Sequence, residues 1–114
     1  MAEKLTELEM KLVKRLQNEK LTIKLFESEQ IRVLFTKIYN NIKHKNPIST
    51  LNELLQKIYK QAEYIEIDSN FVLKVDAIEF KSSKLENKKL IKIKLANQML
   101  NFLTTAHALF EEPE

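Results

Sequence analysis

The chain of 114 residues contains no glycine and no cysteine, and its only prolines are Pro47 and Pro113. Glycine supplies the positive-φ positions of tight hairpins, strained catalytic turns and loops that wrap phosphate. Its absence argues against phosphate loops and G-x-S-x-G elbows, neither of which occurs, and predicts helices joined by short polar connectors. Without cysteine there are no disulfides, thiolate nucleophiles or cysteine-ligated zinc sites. Arginine is scarce too: of nineteen basic residues only Arg15 and Arg32 are arginines. Its planar fork is the better reader of guanine edges and phosphates, so the scarcity weighs against a sequence-reading DNA surface. No apolar run approaches the roughly 18–20 residues of a membrane-spanning helix. The opening MAEKLTELEMK is charged rather than signal-like. These features predict a small cytoplasmic protein.

The 44% hydrophobic and 31% charged fractions are those of a folded domain rather than a disordered tail. The length suits one domain over 1–114 with a single modest core. Net charge is +3, a mild basic bias. Leu5, Leu8, Leu12 and Leu16 form a helical stripe over 3–17. Ser28 and Glu29 open a second helix with Ile31, Leu34, Phe35, Ile38 and Ile42 on one face, ending before Pro47. Thr50 and Glu53 have capping-box spacing for a third helix, whose buried face is Leu51, Leu54, Leu55, Ile58 and Ala62. Ser83 and Glu86 repeat that spacing and predict a last helix over 84–111. Residues 64–80 fit two readings. Ile65 and Ile67 alternate with Glu66, and Phe71, Leu73, Val75 and Ala77 share a face, which suits a hairpin turning at Asp68-Ser69-Asn70. The missing glycine and the helical surroundings favour a short buried helix. The expected fold is therefore an all-α antiparallel bundle of four or five helices, with an α+β winged-helix-like arrangement as the alternative.

Few residues point to chemistry. His44 lies between two lysines, and His107 lacks the Glu-x-x-His spacing of a bundle metal site. Glu63, Glu66, Asp68 and Glu79 could pair as carboxylates but read better as solvated turns. No catalytic residue, metal site or cofactor is expected.

Two features point to binding instead. Lys81, Lys84, Lys88, Lys89, Lys92 and Lys94 crowd one segment against Glu79 and Glu86, and lysines at a helix N-terminus oppose its dipole. The run reads either as a solvated helix face or as a patch for nucleic acid, anionic lipid head groups at a membrane surface or an acidic partner. Residues 95–110 then carry no ionised side chain, as in a helix packed on several sides or docked onto a partner. The expected function is protein binding of immunity, inhibitor or adaptor type, through Lys84, Lys88, Lys89, Lys92, Asn97, Asn101, Phe102, Thr105 and Phe110. The alternative is a nucleic-acid-binding regulator with residues 49–63 as recognition helix, 64–80 as wing and 84–111 as dimerisation helix. Lys43, Lys45, Lys57, Lys60 and Lys74 would then face the phosphates. A hairpin at 64–80 favours this alternative; a helix there removes it. A structural homodimer built on the uncharged helix is a third reading.

Ile38-Tyr39-Asn40-Asn41-Ile42, a polar connector, and Leu54-Leu55-Gln56-Lys57-Ile58-Tyr59-Lys60 resemble the first two helices of enterocin A-type bacteriocin immunity proteins. Ile67-Asp68 and Ile78-Glu79-Phe80 are similar to the later part of that pattern, so the resemblance spans about residues 31–100. It implies a basic, cytoplasmic four-helix bundle protecting a bacteriocin producer, with specificity set in the C-terminal half. Residues 1–27 form a helix that the family's short N-terminus does not require.

Overall fold

A computed structural model describes residues 5–42, 46–68, 70–82 and 87–104. Among the described residues four α-helices accompany a three-stranded antiparallel sheet, so the fold is α+β and the expected all-α bundle is incorrect. The order is α1 (Glu7–Asn18), a 3-10 turn (Lys24–Glu27), α2 (Glu29–Ile42), α3 (Pro47–Gln56), β1 (Glu63–Ile67), β2 (Asn70–Val75), β3 (Ile78–Ser82) and α4 (Lys88–Leu103). The four-helix bundle implied by the bacteriocin-immunity resemblance is corrected with it.

Local chemistry sets the helix starts. Thr6 accepts the Glu9 amide and Glu9 accepts the Thr6 amide, a reciprocal capping box that begins α1 at Glu7. Asn46 accepts the Ile48 amide at 2.9 Å with Pro47 in the first turn, so α3 starts before the expected Thr50 cap. Thr50 instead donates its hydroxyl to the Asn46 carbonyl. Asn87 accepts the Lys89 amide and starts α4 at Lys88. The expected Ser83–Glu86 cap lies outside the described residues. Extended backbone at Thr104 ends α4 at Leu103, shorter than the expected 84–111.

The sheet forms without glycine because aspartate stands in at its turns. Asp68 (φ 56°) and Asp76 (φ 52°) occupy left-handed backbone at the two chain reversals. A short polar side chain makes that region less costly for aspartate than for most residues. Tyr64 lies opposite Leu73 and Leu73 opposite Phe80, while Glu63, Lys74 and Glu79 form one cross-strand row. The alternation in the sequence was therefore a strand signal. It ends at Val75, and Ile78 and Phe80 continue it in a third strand.

Phe71, Leu73 and Val75 of the central strand join one core with Leu34 and Phe35 of α2, Leu54 and Leu55 of α3, and Leu95 and Met99 of α4. α4 packs on β2, β3, α3 and α2 and so occupies the middle of the fold. Each fully buried leucine of this kind contributes on the order of 1.5–3 kcal/mol.

After α3 the Lys60 amide donates to the Leu55 carbonyl at 2.9 Å and the Tyr59 amide to Gln56 at 3.1 Å, a Schellman cap. Its left-handed position is Tyr59, φ 54°, with the residue 80% exposed. A tyrosine there is strained and gains little from burial. Tyr59→Gly is expected to raise stability by about 0.5–1 kcal/mol in denaturant unfolding. A fall would show that the ring makes a compensating contact.

Candidate functional site

The structure commits several candidate lysines to internal partners. Lys88 Nζ lies 3.4 Å from Glu66, and Lys92 Nζ lies 5.6 Å from the centre of the Tyr64 ring. Burial leaves the Tyr64 hydroxyl without a hydrogen-bond partner and pushes its pKa up to about 12. Lys60 sits 3.0 Å from Asp76 and donates to the Glu19 carbonyl at 2.7 Å. Lys74 stands between Glu63 and Glu79 in the strand register. Lys57 and Lys89 are exposed. Lys43, Lys45, Lys84, Thr105 and Phe110 lie outside the described residues, as do His44 and His107.

Of the uncharged candidates, Asn97 is half-buried and Asn101 buries its Oδ1 without a partner. Phe102 is half-buried, with ring centres 5.4 Å from Phe26 and 5.8 Å from Phe80. Ile91, Leu95, Ala96, Met99, Leu100 and Leu103 of α4 are all buried. The charge-free part of α4 that is described is thus a helix packed on several sides.

Among the described residues Leu90 of α4 and Ile67 of β1 are exposed singly, whereas exposed Leu8 of α1 and Val33 of α2 share one groove. Leu16 is the residue that α1 buries completely, with Leu5, Leu12 and Val13 packed partly against the core. Leu8 belongs to the same sequence stripe but is 74% exposed. At 100° per residue it lies about 80° round the helix from Leu16, on the flank rather than the buried face. Across from it Val33 of α2 is 46% exposed. Leu8, Leu12 and Val33 line an open groove of about 590 Å³, rimmed by Lys11, Arg15, Glu29 and Gln30.

Two contacts hold the groove's walls. Glu9 bridges to Lys37 Nζ of α2 at 2.9 Å while capping its own helix. Arg15 is paired with Glu19 at 2.9 Å along α1. The rim therefore carries both signs of charge around an apolar floor. Sequence periodicity missed the groove because it assigned Leu8 to the buried stripe; the flank position of Leu8 was the available signal. Among the described residues no His, Cys, Asp or Glu group could hold a metal ion, and no helix is long and apolar enough to cross a membrane.

The Thr6 amide, then the Lys37 ammonium, hold the Glu9 carboxyl below its usual value of 4.5. Because the folded pKa is depressed, this stabilisation is complete above 4.5 and is lost as pH falls through the folded value. The protection of α1 amides, measured against their intrinsic exchange rates, should therefore fall in that acid range ahead of protection in α4. Glu9→Gln should remove the pH step; an unchanged step would mean that another group controls it. No protein family, curated protein or solved structure matches the chain.

Proposed function

We propose that the chain is a non-catalytic protein-binding factor whose contact face is the groove between α1 and α2. The observation that carries this reading is the pair Leu8 and Val33, exposed on facing helices above a shared apolar floor. Isolated exposed apolar residues are ordinary, whereas apolar residues gathered in a groove with a polar rim suit an amphipathic helix or apolar side chains of a partner. An immunity, inhibitor or adaptor role is a case of the same reading. The contact face moves from α4 to α1 and α2 because most apolar residues of α4 lie in the core, with Leu90 exposed apart from the groove.

The nucleic-acid reading gains a sheet where it expects a wing. Of its lysines among the described residues, however, Lys57 is exposed while the other two face acidic groups. Lys60 is engaged by Asp76 and Lys74 is flanked by two glutamates. The exposed side of α3 carries Ser49, Asn52 and Gln56, which bring no positive charge. Phosphate contacts supply much of the affinity for nucleic acid, so this distribution favours a protein partner.

Leu8→Glu and Val33→Glu change exposed positions and should leave the melting temperature nearly unchanged. The expected result is loss of a stoichiometric, nuclease-resistant partner that wild type captures from its native cells, while Lys89→Glu retains it. Capture that vanishes with nuclease, or that fails in Lys89→Glu but survives in Leu8→Glu, would contradict the proposal.

A further inference from the structure

Beyond the groove, on the other side of Glu29, Arg32 stands beside a second opening. Its Nε donates to the Phe26 carbonyl at 2.8 Å, and its guanidinium carbon lies 5.6 Å from the centre of the Phe102 ring. These two contacts fix the plane of the guanidinium and leave its terminal nitrogens as donors. No carboxylate of the described residues pairs with this half-buried cation. The opening measures about 550 Å³ and is walled by Ile23, Phe26 and Phe102. Ile23 is 60% exposed at its rim.

We infer that this opening is a binding site for a carboxylate carried on an apolar body. A guanidinium offers a carboxylate two parallel charge-assisted hydrogen bonds, and a preset plane reduces the ordering needed on binding. The apolar walls take the ligand's hydrocarbon part, the common construction of small-ligand sites. Arg32 lies in the first turns of α2, where the helix dipole also favours negative charge. Glu27 and Glu29 share the rim and oppose a bare anion. The site therefore selects acids whose apolar part adds to the attraction and rejects small hydrophilic ones. The inference uses Arg32 and Phe102 rather than Leu8 and Val33, so it stands apart from the protein-binding groove. The carboxylate has two sources: a free acid, or an acidic side chain between apolar residues of a peptide.

The test is nuclear magnetic resonance titration of the full chain with hexanoate, acetyl-leucyl-glutamyl-leucine amide, acetate and hexan-1-ol. Saturable shifts at the Arg32 Nε–H, Phe26 and Ile23 are expected with hexanoate or the peptide, and the tighter of the two names the source. Acetate and hexanol should not saturate. Arg32→Lys keeps the charge but loses the fork and should weaken binding about tenfold or more. Ile23→Asp changes an exposed rim position and should abolish binding in a folded chain. Leu8→Glu should bind hexanoate as wild type does, which separates this site from the groove. The inference is overturned if neither acid saturates, if hexanol binds as well as hexanoate, or if both Arg32→Lys and Ile23→Asp bind hexanoate normally.

Discussion

The carboxylate of Asp76 joins parts of the chain that have no other reason to meet. It accepts the Leu21 amide at 2.8 Å and faces Lys60 Nζ at 3.0 Å. Lys60 also donates to the Glu19 carbonyl, and the Ala77 amide donates back to Leu21 at 3.0 Å. The segment leaving α1, the cap of α3 and the turn between β2 and β3 thus close on one another. The groups are half-buried, where charge-assisted hydrogen bonds are stronger than at an open surface and where losing one partner is correspondingly costly. Tyr59 belongs to the same arrangement, since its strained cap directs Lys60 toward Asp76.

Both proposed sites depend on this junction. It holds Glu19 and Leu21, where the chain leaves α1, the helix that forms one wall of the groove. It also fixes the start of the 3-10 turn that carries Phe26, whose carbonyl orients Arg32. The Glu9–Lys37 bridge tethers the opposite end of α1, so the helix is held at two points and its flank is left free.

The helices were legible in the sequence because each carries a local signal. The stripe from Ile31 to Ile42 and the leucines of α3 appear as buried faces where the periodicity placed them. The sheet forms where a buried helix is expected because alternating hydrophobicity outweighs the missing glycine. Aspartate at positions 68 and 76 removes that objection, since it tolerates left-handed backbone. The partners of Asp76 were not legible at all. Leu21 lies 55 residues away, and nothing local to either residue announces the bond. The groove is less legible: Leu8 shares a helical stripe with buried Leu16, and its position about 80° round the helix is the one sequence signal that it lies on the flank.

The most direct measurement is a double-mutant cycle on Asp76→Asn and Lys60→Met, read by denaturant unfolding together with amide exchange in α1. Asparagine keeps an acceptor for the Leu21 amide, and methionine keeps the stem of Lys60, so the cycle isolates the ion pair. The predicted coupling is about 1–3 kcal/mol, with α1 and residues 21–27 losing protection before α3 and α4. Additive effects with unchanged protection in α1 would contradict the claim that this junction positions the helix and both sites.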